Sequence, residues 1–355
     1  MLTFFVGSYT TSINLETVSM GNGIYSLILN TNTGEINVLS TENCRNPSYL
    51  TISDKEKILY CITEVSELDN PKVIAYDINN DFSLSLLNQQ SINGGYPCHL
   101  EKLGSNIIVA CYGTGNVIQF PIEGSGKLKV NNKNYYHRGS GVVINRQQSP
   151  HAHQIVMQPI TNNIYVCDLG IDFIKAYSLE NGSLYPIETK DIKMPDGSGP
   201  RHLVFNKNGN LAYVLNELSG AVLVLKNKNG SFKSLYSYNS LPKEYLGKPS
   251  SSAIRLHPNG LFLYTANRIL EAITIFKVVA DKLQLIGFHY TRGKELREFN
   301  ISPDGKWLIA CHQNSHDIVV FRIMENGTLE EISRTKKIRS PVCVVFSGFK
   351  QNLVL

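Results

Sequence analysis

The sequence is poor in several features that would place it in a familiar class. Only 18% of its 355 residues are charged, below the roughly 25% usual for globular proteins. Basic and acidic residues nearly balance, 34 against 29, and no four basic residues run together. A nucleic-acid or membrane-surface role therefore has little electrostatic support. No apolar stretch reaches the 18 or so residues of a membrane-spanning helix. The start, MLTFFVGSYTTS, has neither a basic segment nor a long apolar one, so no signal peptide is expected. The seven cysteines form no CxxC pair. An odd, scattered set points to free thiols in a reducing cytoplasm, not to a disulfide framework or a zinc site. GxSxG, a phosphate loop ending in GK[ST] and HExxH are all missing, which removes the common hydrolase, nucleotide and zinc-protease signatures. Hydrophobic residues at 42% exclude disorder as the main state and supply material for a large core.

What is present is a repeat. From Pro200 the chain reads PRHLVFNKNGNLAYVLNELSGAVLVLK: a β-rich run, an Asn208-Gly209 turn, a second run, Ser219-Gly220, and a third. Runs of five to seven residues rich in Val, Leu and Tyr, parted by such turns, are strand and hairpin signals. Similar units begin at Pro47, Pro97, Pro150, Pro249, Leu296 and Pro341, spaced 45 to 53 residues apart. Seven starts with about four strands each predict an all-β, seven-bladed β-propeller of antiparallel strands. The competing arrangement is a pair of β-sandwiches. The last start, PVCVVFS, has no hairpin partner, and LTFFVGSYT resembles the second strand of the other units. The N- and C-terminal strands are therefore expected to share one blade and close the ring, which removes two open sheet edges. One domain over residues 1–355 follows, with 124–146, rich in Gly, Asn and Lys, as its longest loop.

Repeats allow equivalent positions to be compared within one chain. The position of Arg201 is filled elsewhere by Ser48, Cys98, His153, Ser252, Arg297 and Val342. The position of Glu217 is filled by Tyr9, Glu64, Gly113, Leu169, Arg268 and Gln313. The preceding one carries Ser8, Thr63, Tyr112, Asp168, Asn216, Asn267 and His312. A purely structural repeat would hold similar residues at these places. These three vary, and they carry His, Arg, Glu and Asp. The first precedes an inner strand and the others follow its antiparallel neighbour, so all are expected at one mouth of the central channel. Titratable groups converging in a concavity make a candidate site. His153, Arg201 and Glu217 are the candidate catalytic residues. Arg268, Arg297, His151, Asp168 and His202 are candidates for binding substrate. Each has a structural alternative. The arginines can bridge blades, and Glu217 can be merely their ion-pair partner. His153 can be a structural imidazole with His151 in its place. Asp168 can cap the turn after it, and His202 can pack beneath Arg201. Cys61, Cys111, Cys167 and Cys311 fall in second strands, where small buried thiols are core material. His151 and His153 lack evident partners for a metal, so neither metal nor cofactor is expected.

SPHAHQIVMQPITNNIYVCDLG, GPRHLVFNKNGNLAYVLNELSG, YTANRILEAITIF and REFNISPDGKWLIACHQNSHD together resemble the seven-bladed lactonase family. That family includes propeller-type 6-phosphogluconolactonases and fungal carboxymuconate cyclases. The likeness runs from FFVGSYT to the last repeat, and its most specific part is the PRH…NE pair, with Arg201 and Glu217 sixteen residues apart. It implies that His153 stands in the family's PHxH segment, Arg201 in PRH, Glu217 in NE, Arg268 in NR and Arg297 in RxFNISPDG. Ile269-Leu270 replace the usual Gly-His, and Glu298 replaces a common Gly. The implied substrate is a small anionic sugar lactone. Neither nucleic acid, membrane nor an obligate protein partner is implied, and a closed ring makes a monomer the default. Another lactonase, acting on an unphosphorylated sugar lactone, a muconolactone-type cyclase or a non-catalytic binding propeller is the alternative.

Overall fold

The computed structural model describes residues 1–12, 18–130 and 133–348. They form seven antiparallel sheets. The second strand of each sheet shows why. Ile58–Thr63, Phe262–Asn267 and Trp307–His312 are buried at every position. A strand covered on both faces must be apolar throughout, which explains the near-continuous Val, Leu, Ile, Tyr and Cys of these segments. Outer strands such as Leu329–Thr335 are half exposed and carry the polar residues. Two single-turn 3-10 helices, Glu67–Asp69 and Glu188–Lys190, are the only helices among the described residues. None is long and apolar enough to cross a membrane.

The core is divided into seven apolar clusters, one between each pair of neighbouring sheets. Tyr60 and Ile62 of the second blade meet Leu100 and Val109 of the third. Phe262 and Tyr264 of the sixth meet Phe299 and Phe321 of the seventh. Phe4 and Val6 of the first meet Ile309 and the lone tryptophan, Trp307, of the seventh. Seven interfaces for seven sheets leave no open end, so the sheets form a ring, not two sandwiches.

Closure occurs in the first blade. Its inner strand is Pro341–Phe346, paired antiparallel with Leu2–Ser8 through Phe4↔Phe346 and Val6↔Val344. Gly7 sits where this blade touches the next; a Cβ there would collide with the carbonyl of Pro47. The expected loop over 124–146 is only partly a loop. Asn134–Tyr136 within it is the outer strand of the third blade, paired with Asn116–Pro121. Three residues in an Asn- and Lys-rich stretch give no alternation to read.

One irregularity recurs around the ring. The pairing register slips at the start of the inner strands: between Pro47 and Tyr49, Pro97 and His99, Ala152 and Gln154, Pro200 and His202, and Leu296 and Glu298. The residues skipped are Ser48, Cys98, His153, Arg201 and Arg297. A bulge leaves its extra residue unpaired and turns its side chain out of the strand's alternation. The position that the repeats single out is thus a bulge within the inner strand, not a residue before it. In five blades the residue leading into it is left-handed, at Asn46, Tyr96, Gly199, Glu295 and Ser340.

Candidate functional site

The bulges face one mouth of the channel. There, Glu64, Tyr96, Cys98, Tyr112, Arg146, His153, Arg201, Glu217, Arg268 and Arg297 line a cavity of about 370 Å³. Four guanidiniums and two carboxylates give it an excess of two positive charges.

Glu217 is the hub. It follows strand Leu211–Asn216 and its side chain is 5% exposed. Its Oε1 lies 2.6 Å from Arg146 Nη2. Its Oε2 lies 3.1 Å from Arg201 Nε and 2.8 Å from Arg268 Nη2. Burial alone would raise this carboxyl, but Arg268, Arg201 and Arg146 together outweigh it and hold it far below the usual carboxylate range. Glu217 is thus an ion with both oxygens occupied.

Arg201 is fixed from the other side by the Ser252 carbonyl, to which its Nη1 donates. Burial, with Arg268 beside it, draws Arg201 down to about 10 against the pull of Glu217, so it stays charged at neutral pH. Arg268 also lies near the carbonyls of Ser250 and Ser251 and 3.7 Å from Glu295. Arg297 lies over the Tyr9 ring, 5.1 Å from its centroid, and 3.5 Å from Glu64. The Tyr9 hydroxyl donates to the other Glu64 oxygen at 2.7 Å. Glu64 and Glu217 occupy equivalent places in two blades, and each holds arginine.

His153 differs from the arginines. It is 6% exposed, and its buried Nδ1 has no hydrogen-bond partner. Burial and then Arg201 push its pKa well below 6.5, so the ring is neutral at physiological pH. Tyr112 meets it edge-on, with centroids 5.8 Å apart. Cys98 beside it donates to backbone carbonyls, and burial raises its thiol well above the ordinary range, which disfavours a thiolate nucleophile.

Five of the eight residues singled out in the sequence thus line the cavity: His153, Arg201, Glu217, Arg268 and Arg297. The other three stand behind it. His151 donates from Nδ1 to the Tyr112 carbonyl at 2.7 Å and stacks on the Tyr112 ring. Asp168, wholly buried, accepts from the His151 and Gly170 backbones and pairs with His137 at 2.6 Å. His202 packs under Arg201, its Nε2 3.4 Å from Nη1, between the rings of His153 and His99. The family departures are local. Ile269 and Leu270 make a turn on the Asn267 side chain, and Glu298 pairs with Arg255 at 3.0 Å. No group of three or more His, Cys, Asp or Glu among the described residues is arranged to hold a metal.

Arg146 and Tyr96 are lining residues that the sequence did not disclose. Arg146 stands furthest from the repeat. It belongs to the insertion between the third and fourth blades and has no equivalent in the repeat. Glu64, Cys98 and Tyr112 stood in the compared columns. Tyr96, just before an inner strand, stood in none.

Fold and site together define a seven-bladed propeller with an arginine-rich, anion-receptive pocket at one mouth of its channel. The family model for Lactonase, 7-bladed beta-propeller, matches residues 3–346. The chain belongs to that lactonase family. It is 34% identical over 342 residues to a 6-phosphogluconolactonase of Formosa agariphila, covering 92% of this chain and 94% of that one. It is 32% identical over 354 residues to the Bacillus subtilis 6-phosphogluconolactonase, covering 96% and 97%. The periplasmic gluconolactonase of Pseudomonas aeruginosa superposes with a TM-score of 0.91 at 26% identity, covering 98% of this chain and 99% of that structure.

Proposed function

We propose that this protein hydrolyses 6-phosphogluconolactone to 6-phosphogluconate. The observation that carries this reading is the cavity's excess of two positive charges, held on four guanidiniums against two buried carboxylates, Glu64 and Glu217. A lactone is an ester, so its hydrolysis needs an activated water and a stabilised tetrahedral oxyanion. Arg201 is held by Ser252 and Glu217 and is suited to meet the oxyanion as it forms. Both Glu217 oxygens are engaged by guanidiniums, whereas His153 lines the cavity as a neutral imidazole. On these grounds His153 takes the proton from water and Glu217 positions the arginines. Seven free, buried thiols suit a reducing cytoplasm.

The test is hydrolysis of freshly generated 6-phosphoglucono-δ-lactone, measured over its spontaneous opening. Wild type is expected to accelerate it saturably. Arg201→Ala and Glu217→Ala are each expected to lose on the order of 10²–10³-fold in kcat/KM. Acceleration that survives both substitutions would refute the site; none from folded wild type would refute the substrate. The Pseudomonas neighbour's name favours a second reading, an unphosphorylated lactone. Glucono-δ-lactone assayed in parallel decides between them.

A further inference from the structure

The geometry points to Arg146 as the residue that selects a phosphorylated substrate, reaching over the pocket from a strap that fixes its backbone and leaves two of its three guanidinium nitrogens unengaged among the described residues. This rests on the phosphogluconolactonase reading and deepens it.

The four arginines are not equivalent. Arg201 is 4% exposed and committed to Ser252 and Glu217. Arg268, 12% exposed, lies among Glu217, Glu295 and two backbone carbonyls. Arg297 is pinned between Tyr9 and Glu64. Arg146 is 42% exposed at the rim. Only its Nη2 is engaged, by Glu217 and by the Tyr112 hydroxyl at 3.3 Å. Its Nε and Nη1 have no partner among the described residues. Exposed at the rim, it can offer an Nε or Nη1 N–H to an incoming anion as a charge-assisted hydrogen bond. Without it, the excess charge of the lining falls from two to one.

The backbone that carries it is well secured. His137, at the start of the strap, donates from Nδ1 to Asp168 and accepts at Nε2 from the Tyr177 hydroxyl at 2.7 Å. Gln147, next to Arg146, is wholly buried; its Nε2 donates to the Leu169 carbonyl and its Oε1 accepts from Val143 N. Arg146 N donates to the Val143 carbonyl at 2.9 Å, and a Cβ at Gly141 would strike the Gln147 amide. A secured main chain bearing one long, half-exposed cation suits recognition of a group remote from the reacting bond. The 6-phosphate is such a group, five bonds from the lactone carbonyl carbon. Asp168 and His137 are positioning residues for this arm.

The experiment compares kcat/KM for 6-phosphoglucono-δ-lactone and glucono-δ-lactone in wild type, Arg146→Met and Arg146→Lys, with thermal melts confirming the fold. Arg146→Met is expected to lower the phosphorylated-to-unphosphorylated ratio about 10–100-fold, mainly through KM, as loss of a charged hydrogen-bond pair would. Arg146→Lys should recover part of it. An equal loss on both substrates, or an unmoved ratio, overturns the assignment. Calorimetric titration with 6-phosphogluconate and gluconate repeats the comparison without turnover. A wild type inactive on both lactones therefore refutes the functional reading while the ratio of Kd values still decides on Arg146. A ratio that is the same in wild type and Arg146→Met, or a wild type that does not prefer the phosphorylated ligand, overturns it.

Discussion

His153 and Glu217 illustrate how neighbours divide the work between two candidate bases. Three guanidiniums occupy the carboxylate, while burial and Arg201 keep the imidazole unprotonated. A base whose pKa lies well below 6.5 remains in its working form as acid is added, until the pH approaches that lowered value. With an unphosphorylated lactone, whose charge does not change, kcat should therefore stay level from pH 8 to below pH 6. A fall centred near 6.5 would mean an ordinary imidazole or another base. His153→Gln should remove the acid limb along with most of the rate. At this scale the sequence was informative for a physical reason. Bulged residues escape the alternation that packing imposes, so Arg201, His153 and Arg297 vary among repeats whose other positions stay apolar. Arg146 was hidden because it lies outside the repeat, and Glu64 because a carboxylate shared with Glu217 in the same column reads as part of the structural repeat.

The element that matters most is the inner strand with its bulge. Seven such strands surround the channel, and at four of them the residue skipped by the slip, Cys98, His153, Arg201 or Arg297, lines the same mouth. Strand runs, turns and the shared first blade were legible because alternation and Asn-Gly punctuation are local signals. The outer strand Asn134–Tyr136 was not, because three polar or aromatic residues take their pairing from Asn116–Pro121 and not from their own pattern. Close approach between elements is equally specific. Gly7→Ala would drive a methyl group into the Pro47 carbonyl at the seam of the first two blades. Overpacking of this kind typically costs about 1–3 kcal/mol, and the Tm of that variant should drop by several degrees. An unchanged Tm would mean that the seam can open without penalty.

The whole ring has a cost in acid. His99, His153 and His202 sit in or beside the channel with pKa values pushed well below 6.5 by burial and by Arg255 or Arg201. His312 is lowered to about 4, again chiefly by burial. Unfolding exposes these imidazoles to water, where they take up protons below pH 6.5. The unfolded state then binds more protons than the folded one, so stability falls as the pH drops through that range. Each contributes up to about 1.4 kcal/mol per pH unit. Glu101, lifted by burial to about 7, acts in the opposite direction and offsets part of this. Calorimetric melts between pH 7.5 and 5 should show a Tm that declines with acidity, and His202→Gln should shallow the decline. A Tm that rises toward pH 5 would contradict the buried, neutral state of the cluster.

The first blade also sets an order of events during synthesis. Residues 2–8 are made before the rest of the ring, yet the strand they pair with, Pro341–Phe346, is made more than three hundred residues later. At translation speeds of about 5–20 residues per second, that edge waits on the order of tens of seconds for its partner. The later blades can stack on one another as they emerge, but the circle and its pocket cannot be completed until the last repeat arrives. Folding of this propeller is therefore limited by its longest-range contact, and its opening strand is the segment that most needs protection in the interval.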